Sequence, residues 1–213
     1  MSTRQKLLHP KTILIVTGGP GTGKSYAASM IDSSIDGLTL LSYDSIKEAE
    51  WDRFGFDNAQ QKARLNRFCL EEFYLTLQHM MWQEKTILIE YPFNMSHYDS
   101  LKELIDAAGY RAVTLLLYGD WKVIYRRGIN RDRSASRKRH PGHLTNTYHR
   151  ERGVRKEDII PDAVLTYEQF RADIDRKNYD IRLGYTIRTD VTDFSSVDYD
   201  AVIREILEAD AAD

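Results

Sequence analysis

The sequence lacks the features of disulfide-rich and membrane proteins. Cys69 is the single cysteine among 213 residues, which excludes an internal disulfide framework and a cysteine-rich zinc site. No apolar run approaches the roughly 18 residues of a membrane span. The first ten residues, MSTRQKLLHP, lack the apolar core of a signal peptide. We therefore expect a soluble, cytoplasmic protein with no membrane partner.

The chain as a whole has almost no net charge, but one of its segments is strongly basic. The 30 basic and 32 acidic residues give a formal net charge of −2. Residues 122–156 carry 12 basic and 2 acidic residues, a net charge of +10, and the segments on both sides are acidic. A block this basic inside a near-neutral chain predicts an anionic ligand.

Short apolar runs between turn residues predict five strands. The runs cover residues 12–17, 38–42, 86–89, 112–118 and 185–188. Helical apolar patterns alternate with them at 59–83, at 97–108 and after an expected capping box at Ser195–Asp198. Alternation of this kind predicts a parallel sheet covered by helices on both faces.

The first predicted strand runs directly into a glycine-rich loop. The loop reads Gly18-Gly19-Pro20-Gly21-Thr22-Gly23-Lys24-Ser25 and precedes a helical segment, which is the Walker A pattern in its strand–loop–helix context. The glycines let backbone N–H groups surround phosphate oxygens. Lys24 can reach the β- and γ-phosphates, and the Ser25 hydroxyl can bind Mg²⁺. We expect a nucleoside triphosphate here, with ATP and GTP not distinguished.

Charged residues follow the next three predicted strands. Asp44 follows the second, Glu90 takes the Walker B position after the third, and an arginine-rich segment follows the fourth. With the Walker A loop, this order resembles the small P-loop kinases, including the polynucleotide 5′-kinase domain, zeta toxins, chloramphenicol phosphotransferase, gluconate kinase and shikimate kinase. The resemblance covers about residues 12–207. It implies an α/β P-loop NTPase fold of three layers, with a five-stranded parallel sheet of order 2-3-1-4-5 and an arginine-rich lid.

The resemblance also implies roles for the two carboxylates, with ATP and Mg²⁺ as cofactors. Asp44 falls where polynucleotide-kinase-like members hold their general base, so we expect it to accept the proton of the acceptor hydroxyl. The alternative is an N-cap for a helix beginning near Ser45. We expect Glu90 to hold Mg²⁺ with Ser25 or to orient the acceptor. The alternative is a strand-end carboxylate without a role.

The basic block supplies the expected lid. Arg127 and Arg131 are four residues apart and share one face of a helix, where their guanidinium groups would neutralise the transferring phosphoryl group as catalytic residues. We expect Arg126 at the nucleotide. A solvated charged helix face is the alternative. The chain is thus expected to be one domain, 1–213, with a lid or acceptor subdomain at about 122–156.

A turn with two histidines, His140-Pro141-Gly142-His143, lies within this block. A metal site would need a third ligand, and none is evident, so a surface turn with incidental histidines is the favoured interpretation. Contact of Arg137, Arg139 and His143 with an anionic acceptor is a further hypothesis.

Three functions stay open at this point. The favoured one is an ATP-dependent kinase acting on a hydroxyl of a small metabolite or nucleoside. A polynucleotide 5′-hydroxyl is second, because no recognisable nucleic-acid-binding module accompanies the basic block. A nucleotide-dependent regulatory ATPase is the alternative from another class. The oligomeric state does not follow from the sequence.

Overall fold

The computed structural model describes residues 7–133, 140–152 and 161–212. Within them, five parallel strands form one sheet in the order β2-β3-β1-β4-β5. This is the order that the resemblance implies, and the fifth strand continues two residues past the predicted end. The strands are β1 (Thr12–Gly18), β2 (Leu38–Ser42), β3 (Thr86–Glu90), β4 (Arg111–Tyr118) and β5 (Tyr185–Asp190).

Helices cover both faces of the sheet, so the fold has the three expected layers. Helices α1 and α7 pack on one face, and α3 and α4 pack on the other. The α-helices are α1 (Lys24–Asp32), α2 (Tyr43–Phe54), α3 (Ala59–Trp82), α4 (Tyr98–Ala108), α5 (Trp121–Arg133), α6 (Tyr167–Lys177) and α7 (Tyr199–Ala211).

The helix boundaries follow local capping signals. Gly109, with φ of 63°, ends α4 in the left-handed conformation that glycine tolerates. The expected capping box at Ser195–Asp198 is wrong. Phe194–Ser196 form a separate 3₁₀ turn, and Asp198 itself caps α7 by accepting the N–H of Ala201 at 2.9 Å.

The composition of β1, the central strand, explains why helices cover both faces of the sheet. Every residue of β1 is buried. Leu14 and Val16 pack toward α1 and α7, while Ile13 and Ile15 pack toward α3 and α4. Strands that are apolar on both faces are typical of parallel sheets. The carboxyl ends of β1, β2 and β3 therefore meet at one edge, where Ser42 pairs in register with Glu90.

Within these residue ranges, no helix combines the length and the apolarity needed to cross a membrane.

Candidate active site

The phosphate loop leaves β1 at the middle of this edge. Gly21 and Gly23 have φ of 88° and 90°, in the region that favours glycine. A Cβ on Gly23 would lie 2.4 Å from the Phe194 ring, so the loop packs closely against the segment after β5. The Thr22 hydroxyl and the Lys24 ammonium both donate to the Gly19 carbonyl, at 2.9 and 3.0 Å. These contacts hold the loop in an open curve at the N-terminus of α1.

Side-chain oxygen atoms from α1, β2 and β3 meet beside the loop. The Ser25 hydroxyl donates to the Glu90 carboxylate at 3.3 Å, and the Ser42 hydroxyl donates to it at 3.2 Å. Burial raises the pKa of Glu90, the charge of Lys24 opposes that rise, and the charge of Asp44 adds to it. Hydroxyl and carboxylate oxygens are the ligands that Mg²⁺ prefers, so this donor set fits the predicted ion.

The same donor set also fits the way in which Mg²⁺ is usually held. No group of three or more His, Cys, Asp or Glu side chains in the described part of the chain is arranged to hold a metal ion. Mg²⁺ in phosphoryl-transfer sites is bound through one or two carboxylates together with substrate phosphates and water. A single carboxylate at the phosphate loop is therefore sufficient.

Asp44 lies in the first turn of α2. Ser42 caps this helix by accepting the N–H of Ser45 at 3.4 Å, so the alternative of Asp44 as an N-cap is wrong. Instead, Asp44 Oδ1 lies 2.6 Å from Lys47 Nζ. The Lys47 side chain is 9% exposed, and its ammonium lies 4.9 Å from the ring centroid of Tyr43 and 5.0 Å from that of Tyr91.

These contacts set the ionisation of Asp44. Burial alone would raise the pKa of Asp44, but the charge and hydrogen bond of Lys47, with the charges of His143 and Lys24, hold it below its usual value. Asp44 is therefore a carboxylate at neutral pH and can accept a proton. The influence of Lys24 places Asp44 in the electrostatic field of the phosphate loop.

The histidine turn, residues 140–143, contacts α2 through both of its histidines. His143 Nε2 lies 2.8 Å from Glu48 Oε1, and His140 Nε2 lies 3.1 Å from Asp52 Oδ1. Both imidazole rings pack on Trp51, and their side chains are 8% and 12% exposed. The prediction of incidental surface histidines is wrong, because the pair joins the segment after α5 to the helix that carries Asp44. Arg137 and Arg139 lie outside the described residues.

The arginines of α5 lie in different surroundings. Arg127 donates to the carbonyl groups of Val191 and Thr192 at 2.8 and 3.0 Å, and its guanidinium lies 5.0 Å from the Phe194 ring centroid. Its second terminal nitrogen is buried without a hydrogen-bond partner in the described part of the chain. Arg131 donates to Asp132 at 2.8 Å, and Arg126 is exposed. The roles of these arginines, and of residues 122–156 as a lid, remain predictions.

Two cavities flank the phosphate loop. The first, of about 190 Å³, is lined by Pro20 and Gly21 together with Arg131 and His143, which lie more than 100 positions later in the sequence. The second, of about 410 Å³, lies beside β4 and β5. Its lining includes Gly18, Gly19, Trp121, Arg171, Tyr179 and Arg188.

Sequence reasoning missed two residues of this site. Lys47 is three positions after Asp44, a spacing at which helical side chains pair, so this ion pair had a local signal. Ser42 ends the strand beside the Walker B strand, and no local pattern in the sequence predicts that its hydroxyl donates to Glu90.

No protein-family model and no curated protein matches the sequence. Among solved structures, an inferred kinase from Chloroflexus aurantiacus has a TM-score of 0.72 and 21% identity, covering 94% of this chain and 99% of that one. A gluconokinase from Sinorhizobium meliloti has a TM-score of 0.53 and 13% identity, covering 94% and 92% of the two chains.

A third similar structure has the same topology. The shikimate kinase from Bacteroides thetaiotaomicron has a TM-score of 0.52 and 13% identity, covering 92% of this chain and 97% of that one. At such identities the likeness concerns the fold. The sheet order, the phosphate loop and these structures together establish that the chain has the fold of the small P-loop kinases.

Proposed function

We propose that the protein is an ATP-dependent phosphotransferase that transfers the γ-phosphoryl group to a hydroxyl of a small metabolite or nucleoside. The observation that carries this proposal is the position of Asp44. It lies two residues after Ser42, the end of β2, whose hydroxyl shares the Glu90 carboxylate with the phosphate-loop Ser25. A base beside a triphosphate loop is the arrangement that phosphoryl transfer to a hydroxyl requires.

The phosphate loop and the edge of the sheet would hold the nucleotide. Backbone N–H groups of Gly18–Ser25 and the ammonium of Lys24 would bind the phosphates, while Ser25 and Glu90 would hold Mg²⁺. When bound, Mg²⁺ neutralises charge on the β- and γ-phosphate oxygens. One terminal nitrogen of Arg127 has no hydrogen-bond partner among the described residues, which supports a contact with the nucleotide near the loop that follows β5.

Asp44 would act on the acceptor. The acceptor oxygen bonds to the γ-phosphorus, the bond from that phosphorus to the β–γ bridging oxygen breaks, and ADP leaves. The hydroxyl proton passes to Asp44, whose Oδ1 is held by Lys47. The lowered pKa keeps Asp44 ionised at neutral pH, so that it can accept this proton. Arg131 lines the cavity next to Pro20 and Gly21, which supports its proposed role in neutralising the transferring group.

The small acceptor is preferred to a nucleic acid. Two structural neighbours are named for small acceptors, gluconate and shikimate. His143, whose charge helps to lower the pKa of Asp44, lines the cavity of about 190 Å³ beside Pro20 and Gly21, and a cavity of this size favours a compact ligand. A polynucleotide 5′-hydroxyl stays the second candidate because of the charge of residues 122–156.

Transfer of label from γ-labelled ATP tests this function. The protein is incubated with pools of metabolites, nucleosides and 5′-hydroxyl oligonucleotides, and wild type is compared with Asp44→Ala and with Asp106→Ala, an exposed aspartate on α4. We expect a labelled small product with wild type and Asp106→Ala, and little with Asp44→Ala. Phosphate release without a labelled acceptor, equal in all three proteins, would instead indicate a regulatory ATPase. A labelled oligonucleotide, formed less as salt rises, would indicate the polynucleotide kinase.

A further inference from the structure

Residues 140–150, which we call the docked segment, lie against α2 and the residues that follow it. Three histidines of this segment each face a carboxylate of that surface. Two of these contacts are those of the histidine turn, and the third places His149 Nε2 2.8 Å from Asp57 Oδ1. Because the three contacts are spread over ten positions of the chain, they fix the whole segment on α2 and not a single side chain.

Asp52 contacts three side chains of the docked segment. Its Oδ1 accepts a hydrogen bond from the Tyr148 hydroxyl and lies 3.1 Å from His140 Nε2. Its Oδ2 accepts a hydrogen bond from Arg150 at 3.3 Å. Burial alone would raise the pKa of Asp52, but the hydrogen bonds from Tyr148 and His140 hold it below its usual value. Hydrogen bonds to an ionised carboxylate are strong, so replacement of Asp52 removes a large part of the docking contacts at once.

Backbone contacts add to the docking. Tyr148 and Phe56 exchange two N–H to carbonyl hydrogen bonds, both of 2.8 Å. A Cβ on Gly142 would lie 2.4 Å from the Trp51 ring, so the histidine turn and α2 are in direct van der Waals contact at this point. The docked segment therefore has a defined position on α2.

The docked segment also forms part of a cavity wall at the phosphate loop. His143 and Leu144 line the cavity of about 190 Å³ together with Pro20 and Gly21. His143 is held in this wall by Glu48 of α2, at 2.8 Å. The shape of the cavity therefore depends on the docking of the segment.

Asp52 itself lies away from this cavity. It follows Asp44 by eight positions on α2, which separates the two residues by about 12 Å along the helix axis. Among the described residues that line the cavity, the docked segment contributes His143 and Leu144, and Asp52 is not included. An effect of Asp52 on a ligand in the cavity must therefore pass through the docked segment.

We propose that Asp52 is a positioning residue that sets the affinity for the phosphoryl acceptor, because it fixes the docked segment and thereby the cavity wall at His143 and Leu144. A wall that is already in place does not have to be ordered when the acceptor binds, which strengthens binding. This inference rests on the proposed function, with the cavity at the phosphate loop as the place of the acceptor. The chemical step belongs to Asp44, so loss of the docking changes binding of the acceptor and not the rate at saturation.

Steady-state kinetics with the acceptor found by label transfer tests this role. Wild type is compared with Asp52→Ala and with the matched control Asp106→Ala, at an exposed aspartate that pairs with Lys102 on α4. We expect Asp52→Ala to raise the acceptor KM by about 10-fold or more, the effect of losing one hydrogen bond to a charged group. The KM for ATP and kcat should stay within about twofold of wild type in both variants, whereas general damage to α2 would lower kcat through Asp44.

A conservative variant separates the contacts of Asp52 from its presence on the helix. Asp52→Asn keeps an oxygen that can accept the Tyr148 hydrogen bond, so its acceptor KM should lie between those of wild type and Asp52→Ala. An acceptor KM of Asp52→Ala equal to that of wild type would overturn the proposal. A fall in kcat as large as the rise in KM would also overturn it.

Hydrogen exchange of the ligand-free protein, read by mass spectrometry, tests the docking without any acceptor. We expect Asp52→Ala to exchange faster than wild type in the peptide that contains Tyr148, whose N–H is bonded to Phe56. Peptides from β3 should exchange as in wild type, which shows that the variant is folded, and Asp106→Ala should match wild type throughout. Equal exchange at Tyr148 in Asp52→Ala and wild type would overturn the docking. A wild type that docks the segment but transfers no phosphoryl group would instead contradict the proposed function.

Discussion

Replacement of Lys47 by methionine is expected to destabilise the protein, because it removes the counter-ion of Asp44. The two side chains are 2.6 Å apart from Nζ to Oδ1, with Lys47 9% and Asp44 37% exposed. The ammonium also lies over the rings of Tyr43, Trp51 and Tyr91. Methionine keeps the packing of the lysine stem, so the change isolates the effect of the charge.

The size of the effect follows from the burial of each partner. Removing one member of a fully buried ion pair costs about 3–5 kcal/mol, whereas an exposed pair contributes about 0–1 kcal/mol. Asp44 is more than one third exposed, so solvent screens its lost partner. We therefore expect Lys47→Met to lower the free energy of unfolding by about 2 kcal/mol, which lowers Tm by about 4–8 °C in a chain of this length.

Urea unfolding followed by circular dichroism measures this change. Lys102→Met is the matched control, because Lys102 pairs with Asp106 in an exposed position on α4. We expect the control to unfold like wild type and Lys47→Arg to lie between wild type and Lys47→Met. If Lys47→Met and Lys102→Met unfolded at the same urea concentration, the Asp44–Lys47 pair would not contribute as described.

The same variant makes a prediction about pH. The pKa of Asp44 in the folded protein lies below its unfolded-state value of about 3.9, so the Asp44 contribution to stability is present above that pH and is lost as pH falls through the folded-state pKa. In Lys47→Met, the effect of burial is opposed only by weaker charges, so the pKa of Asp44 rises. We expect the acid-unfolding midpoint of Lys47→Met to move to higher pH, and a midpoint equal to that of wild type would refute this.

Two further changes test the phosphate loop and the metal ligands. Gly23→Ala is expected to destabilise the protein by about 1–3 kcal/mol and to weaken ATP binding, because Gly23 has a φ of 90° and the new Cβ would meet Phe194. Thermal melts measure the change in stability. The control is Gly128→Ala, which has open space around its Cβ and should have a Tm equal to or above that of wild type. Glu90→Gln keeps the shape of the side chain and removes its charge. In calorimetric titrations of the ATP-bound protein it is expected to weaken Mg²⁺ binding by at least about 10-fold, the smallest loss typical even of groups that only support a ligand. Unchanged Mg²⁺ affinity would exclude Glu90 as a ligand.

The sequence was sufficient to predict those features of the fold that depend on residues close together in the chain. Apolar runs flanked by turn residues located all five strands, and the Walker A pattern located the phosphate loop. Gly109 ended α4 as expected. The start of α7 was placed wrongly because Ser195 and Asp198 are both good capping residues, and nothing local decides that Ser195 belongs to a separate 3₁₀ turn.

The remaining features of the site depend on contacts between distant parts of the chain. Glu48 and His143 are 95 positions apart, and their contact requires the segment after α5 to fold back onto α2. The ring of Tyr91 reaches Lys47 only because β2 and β3 are neighbours in the sheet. Helical periodicity placed Arg127 on a face of α5 but did not reveal the carbonyl groups of the loop after β5, to which it donates.

The rate of phosphoryl transfer by Asp44→Asn tests the central claim most directly. It is measured in single-turnover experiments with the acceptor found by label transfer, and ATP affinity is measured alongside. Loss of a general base lowers the rate by about 10²–10⁴-fold, so we predict a decrease in that range with ATP binding no weaker than in wild type. Transfer at the wild-type rate by Asp44→Asn would contradict the assignment of Asp44 as the base.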